Sequence, residues 1–135
     1  MSFTLKEYFR DYTPNDDQIR SCTELSVRAW RLFNELGFDP VLTSGFRTKE
    51  KQIAVYKAKA LTEGVPFDIN KVPMGSQHMK ACAGDFSDPG GLINNAITDE
   101  LLAKHDLYRE HPMYTFNWVH LQTVPPRSGL RTFKP

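Results

Sequence analysis

The sequence predicts an α+β fold: a small, mainly antiparallel sheet with helices packed on it. Three observations carry that expectation. Helical and extended stretches alternate in the order α-β-α-β-α-β, without the long strand–helix–strand units that build a parallel sheet. No internal repeat or low-complexity tract interrupts them. The chain's 135 residues, 40% of them hydrophobic, are enough to bury one core without disulfides or oligomerisation. The chain reads as a single domain, residues 1–135, with a short irregular tail from about residue 124, and as a monomer.

The first element is the clearest. Pro14-Asn15-Asp16-Asp17 supplies a side-chain cap and two acids at the positive end of a helix. Ile19, Cys22, Ser26, Ala29, Trp30, Phe33 and Leu36 then recur at three- and four-residue spacing, and Gly37 is the stop. Val41 to Ser44 is a short strand ending at Gly45. Thr48 caps a second helix from Lys49 to about Leu61, with Ile53, Tyr56 and Ala60 expected on its inner face. A loop containing Gly64, Pro66, Pro73 and Gly75 follows. Lys80 to Phe86 reads as a strand that Asp88-Pro89-Gly90-Gly91 ends. Thr98 opens a third helical stretch through about His105, and Asn117 to Thr123 is the last strand.

Charge and composition exclude several classes of function. A net charge of +1 provides no field to draw in nucleic acid or an acidic membrane surface. Arg127, Arg131 and Lys134 form the only basic cluster, in a proline-containing tail that reads as solvated. No apolar run approaches the roughly 18 residues that cross a bilayer. The N-terminus lacks the basic-then-apolar pattern of a signal peptide, so synthesis in the cytoplasm is expected. Cys22 lies on the apolar stripe of the first helix and reads as a buried thiol.

Two runs carry the chemistry: Ser76-Gln77-His78-Met79-Lys80-Ala81-Cys82-Ala83-Gly84-Asp85-Phe86 and Asn117-Trp118-Val119-His120-Leu121. They offer two imidazoles and a carboxylate, His78, Asp85 and His120. Three N/O ligands with one position left for water make an open hydrolytic zinc site. Side chains alternate along a strand, so His78 and Asp85, seven residues apart, cannot share a face of one regular strand. His78 is therefore expected in the loop that enters it. Asp85 shares its face with the small Ala83 and Ala81, and His120 lies opposite in orientation to Val119 and Leu121. Cys82 is an alternative ligand, but a thiolate suits a closed structural site and Asp85 suits an open one. Either histidine alone would be read as an ordinary surface or core residue; the three together are what point to a metal.

Ser76-x-His78-x-x-Ala81-x-Ala83-x-Asp85 resembles the Ser-x-His-x-x-Gly-x-Ala-x-Asp motif of the M15 zinc peptidases. That family comprises D-Ala-D-Ala carboxypeptidases, dipeptidases and phage endolysins sharing the fold of the Hedgehog signalling domain. Trp118-Val119-His120 is similar to the family's aromatic-x-His element. Ser44-Gly45-Phe46-Arg47-Thr48 resembles its Ser-Gly-Tyr-Arg-Ser, with Gln52 where an Asn is usual. The three elements occur in family order between residues 44 and 120.

The resemblance implies that His78, Asp85 and His120 hold zinc (Zn2+). It implies that Arg47 meets the substrate carbonyl or carboxylate and stabilises the developing oxyanion. Ser76 would hydrogen-bond the bound peptide or cap the local backbone, and Gln52 would line the substrate side or support the Arg47 loop. Two departures stand out. Ala81 replaces a glycine, which is costly only if the backbone there is left-handed. Asn117 occupies the place, three residues before the last histidine, where many members carry the acid that serves as general base. His111, Glu110 and Asp106 are the nearby substitutes, and His111 is preferred for its ordinary pKa near working pH.

The expected function is a zinc-dependent peptidase that hydrolyses amide bonds in peptidoglycan stem peptides, of D-Ala-D-Ala carboxypeptidase or L-Ala-D-Glu endopeptidase type. The small single domain resembles a phage- or prophage-encoded lytic or virion protein, acting on the cell wall after release. The alternatives are a catalytically weak or inactive Hedgehog-like zinc-containing binding module, which Asn117 favours, or a virion structural protein.

Overall fold

The computed structural model describes residues 1–135. Five short strands form one sheet in the order β1-β2-β4-β3-β5: β1 Leu42–Ser44, β2 Ala83–Ser87, β3 Tyr108–Glu110, β4 Trp118–Gln122 and β5 Thr132–Phe133. All neighbours run antiparallel except β3 and β5, which are parallel. The helices are α1 Leu5–Phe9, α2 Asp16–Leu36, α3 Lys49–Glu63, α4 Leu92–Ala96 and α5 Asp99–Lys104. The α+β architecture and its mainly antiparallel sheet are thus as the sequence predicts. No helix is long and apolar enough to cross a membrane.

Helix α2 forms where the sequence places its signals. Asn15 and Gln18 make a reciprocal capping box, and Gly37 closes the helix in a left-handed conformation at φ 76°. Its buried stripe is Cys22, Leu25, Ser26, Ala29, Leu32 and Phe33. Trp30, expected on that stripe, is instead 44% exposed, because it lies one residue's rotation beyond Ala29. The stripe packs on the sheet face that carries Phe86, Val119 and Leu121, with Phe33 and Phe86 rings 5.0 Å apart.

Helix α1 is an addition to the expected elements. Thr4 caps it by accepting from the Glu7 amide, and it buries Tyr8 and Phe9 against Phe3, Phe46 and Tyr12. Helix α3 starts at its expected Thr48 cap, but it lies at the periphery. Ile53, Tyr56 and Ala60 are only half-buried, and Gln52 alone is fully buried.

Three expectations at the strands need correction. The strand expected from Lys80 begins at Ala83, because residues 77–81 form a turn closed by Ala81 at φ 59°. Strand β3, Tyr-Arg-Glu, carries no apolar alternation that would announce it. The tail is irregular only up to Arg131: Thr132 and Phe133 then pair with β3, where the Arg109 and His111 amides donate to the carbonyls of Arg131 and Phe133. Phe133 is buried, which fixes the tail to the sheet.

Candidate metal centre

Strands β2 and β4 pair in a register that sets Asp85 opposite His120. Opposed residues of an antiparallel pair point to the same side, so both project from the face away from α2. His78 arrives from the turn before β2. Its amide is held by the Ser76 hydroxyl, which accepts at 3.3 Å, and its carbonyl accepts from the Arg47 amide at 3.2 Å. The three side chains are all buried, and one ligand atom of each lies within 4.8 Å of the others.

The positions of the protons bear on what this arrangement could hold. His78 Nδ1 lies 2.8 Å from the Gly45 carbonyl, which can only accept, so Nδ1 carries the hydrogen. His120 Nε2 lies 2.7 Å from Gln122 Oε1, whose identity is fixed because the Gln122 amide nitrogen donates to the Val124 carbonyl. In neutral rings, His78 Nε2 and His120 Nδ1 are therefore both lone pairs. They face the same Asp85 Oδ1, at 3.2 and 2.9 Å. Three acceptors converge on one another in a buried place. Only a second proton on an imidazole or a metal cation relieves that convergence. The tying of each ring's far nitrogen to an acceptor is also how metal-bound histidines are oriented. The donor set fits a divalent cation with N/O preference.

Protons on the imidazoles relieve the same convergence without a metal. Burial alone would push the Asp85 carboxyl up, but the charge of His78 and the hydrogen bonds from both imidazoles outweigh it and hold Asp85 well below the usual carboxylate range. His120 is driven down by burial and up, more strongly, by its hydrogen bond to Asp85, by that group's charge and by Glu110; the net shift is upward. A metal ion bound here would displace the proton that the raised pKa keeps on the His120 ring.

Arg47 closes the far side of Asp85. One terminal nitrogen lies 3.4 Å from Asp85 Oδ2 and 3.3 Å from the Ser44 hydroxyl, and the other donates to Gln52 Oε1 at 3.3 Å. Its Nε is buried without a partner. Gln52 is 1% exposed and donates to the Pro73 carbonyl at 2.7 Å, so it supports the Arg47 loop and does not reach a substrate. Ser76 caps the backbone of the His78 turn as an acceptor, and its half-buried hydroxyl keeps its own proton to donate.

The structure does not bring His111 to the cluster. It is exposed, and its Nδ1 accepts from the Met113 amide to cap a turn. Alternation along β3 gives the reason: Tyr108 pairs with Gln122 and Arg109 with Leu121, so Glu110 is the residue that falls beside His120. Glu110 Oε1 lies 3.9 Å from His120 Nδ1, with its side chain 18% exposed. Asn117 is committed elsewhere. It adopts φ 66°, and its Oδ1 accepts from the Gly90 amide at 3.1 Å. Cys82 stands outside the cluster, its thiol directed at the Lys80 carbonyl. Phe133, from the tail, edges the His120 ring at 6.2 Å between centroids, a neighbour the sequence did not single out.

No family model, no curated protein and no solved structure matches this chain. What can be said of its chemistry rests on these residues and their geometry.

Proposed function

We propose that the protein is a zinc-dependent hydrolase that cleaves amide bonds in peptidoglycan stem peptides. The observation that carries the metal is the convergence of His78 Nε2, Asp85 Oδ1 and His120 Nδ1, with both outer ring nitrogens already tied off. The peptide substrate rests on the three motifs around Arg47, His78 and His120 and their likeness to the M15 peptidases. Zinc at such a centre supplies an acidified water and a Lewis acid for a carbonyl oxygen.

The chain's own groups divide the remaining work. Asp85 and the two imidazoles bind the cation. Arg47 pins the outer oxygen of Asp85 and sets a positive charge beside the cluster, where a developing oxyanion would be stabilised. Glu110 is the carboxylate placed to take a proton beside His120 and to return it to the leaving amine, the part first expected of His111. A second reading, a zinc-holding module that binds wall peptides without cutting them, is favoured by Asn117, whose amide is locked into a turn where an acid would serve catalysis.

The test pairs metal analysis with release of free amines from purified cell-wall sacculi. The expected result is about one zinc per chain and steady amine release, lost about 10²–10⁴-fold in Glu110→Gln while zinc content is unchanged. Zinc-loaded protein that binds sacculi but releases nothing at any concentration selects the second reading. Protein that takes up no zinc overturns both.

A further inference from the structure

Tyr8 touches both backbones on which the cluster depends, β2 through its hydroxyl and the Gly45–Phe46 loop through its ring and its own carbonyl. It is 1% exposed and sits on α1, far in sequence from the motifs. Its hydroxyl donates to the Ala83 carbonyl at 2.6 Å, two residues before Asp85 on β2. Its own carbonyl accepts from the Phe46 amide at 3.0 Å, in the loop between Gly45 and Arg47. The fit against that loop is tight: a Cβ on Gly45 would stand 2.6 Å from the Tyr8 carbonyl oxygen and 2.9 Å from its Cα. Gly45 is thus a glycine for want of room, with Tyr8 as the wall. The Gly45 carbonyl, so located, accepts the Nδ1 proton of His78 and leaves Nε2 aimed at Asp85.

We propose that Tyr8 is a positioning residue of the metal centre: it fixes the distance between the Gly45 loop and β2, and through them the placement of His78 Nε2 against Asp85. The proposal rests on the reading of the cluster as a metal site. The physical reason is that a cation requires its ligands placed to within a fraction of an ångström, and residues outside the ligand set govern that placement. Tyr8 links two chain segments stiffly, its hydroxyl donating to one at 2.6 Å and its backbone carbonyl accepting from the other at 3.0 Å, with the rigid ring between them. Burial holds the Tyr8 hydroxyl protonated, its pKa well above the ordinary phenol range, so it remains a donor throughout the working pH range.

The experiment uses the full chain and the metal alone. Zinc affinity is measured by competition with a chromogenic chelator, and the ligand field is read from the visible absorption of the cobalt-loaded protein. Tyr8→Phe keeps the ring and removes the donor. The expected result is zinc binding weakened at least about tenfold with an altered cobalt spectrum, as for other changes next to a ligand set. Phe33→Leu, on α2 in the same core and packed on Phe86, is the control for general destabilisation, and its affinity and spectrum stay those of the wild type. Should Tyr8→Phe fail to fold, Gly45→Ala tests the same wall from the other side, with the same expected loss. Wild-type affinity and spectrum in the folded variant overturn the role of Tyr8 and leave the metal site standing. A wild-type protein that binds no zinc overturns the site itself, and this inference with it.

Discussion

Asp85 and Asp88 stand three residues apart, both buried, and do opposite things. Asp88 points its two oxygens at backbone amides, accepting from Ile93 at 2.8 Å and Asn94 at 2.9 Å, and so caps α4. Around it Asn94 donates to the Trp118 carbonyl, and the Arg109 guanidinium donates to Asn94 and to Thr132. The donors named each have a fixed acceptor, and the network joins α4, β3, β4 and β5 into one unit. Asp85 faces two imidazoles whose near nitrogens carry no obligatory proton and whose far nitrogens are already bonded. A carboxylate against backbone amides is complete as it stands. A carboxylate between two ring lone pairs is complete only with a further proton on an imidazole or with a metal cation, which is why the second cluster could hold an ion and the first could not.

The largest expected effect breaks the comparison at Asp85. Asp85→Ala should remove the stabilisation that zinc confers, about 4 kcal/mol at a free concentration a thousand times Kd, while Asp88→Ala keeps it. Thermal unfolding with and without added zinc measures both. A zinc-dependent rise in Tm that survives Asp85→Ala would mean the ion binds elsewhere. Next comes the structural partner. Asp88→Ala leaves two buried amides without an acceptor and should cost about 3 kcal/mol, with zinc affinity unchanged. Urea titration in excess chelator reads this cost free of metal. A loss of zinc affinity in Asp88→Ala would show the two clusters to be one.

A smaller effect sharpens the role of the far nitrogens. Gln122→Leu removes the acceptor from His120 Nε2 but leaves the ligand set intact. Zinc affinity should fall about 10- to 100-fold, or about 1.4–2.7 kcal/mol, as measured by chelator competition. An unchanged affinity would show that the Gln122 acceptor does not orient the ring.

How much of this the sequence could show follows from where each signal lives. The helix α2 was legible because a cap, a 3.6-residue stripe and a glycine stop lie within one local stretch. Asp85 and His120 were legible because strand alternation puts them on a face with small or polar neighbours. Strands β3 and β5 were not, because three residues and two residues cannot establish a period, and β3 carries an arginine and a glutamate. The proximity of Glu110 to His120 is hidden by the same gap: without β3, nothing in the sequence favours Glu110 over His111. The Tyr8 link joins residues 75 positions apart, and no local pattern encodes such a contact. Arg47 was found, but its engagement with Asp85, Ser44 and Gln52 is a property of three segments brought together.

The smallest expected effect concerns the turn that delivers His78. Ala81 is buried and left-handed at φ 59°, the circumstance that makes an alanine costly where the resembled motif has glycine. A left-handed L-residue is disfavoured by about 1–2 kcal/mol. Ala81→Gly relieves that strain, but it gives up a buried methyl, about 0.8 kcal/mol, and frees the unfolded chain by about 0.5–1 kcal/mol. The terms nearly offset, so stability should move by less than about 0.5 kcal/mol and zinc affinity should not fall, as denaturant titration and chelator competition will read. The branched Ala81→Val adds strain without relief, cannot be seated in the left-handed region at comparable cost, and should lower both. A gain well above 1 kcal/mol in Ala81→Gly would show instead that the His78 turn is held under tension by its alanine, so that the metal site, and not only the cap at Asp88, draws its geometry from the stability of the surrounding fold.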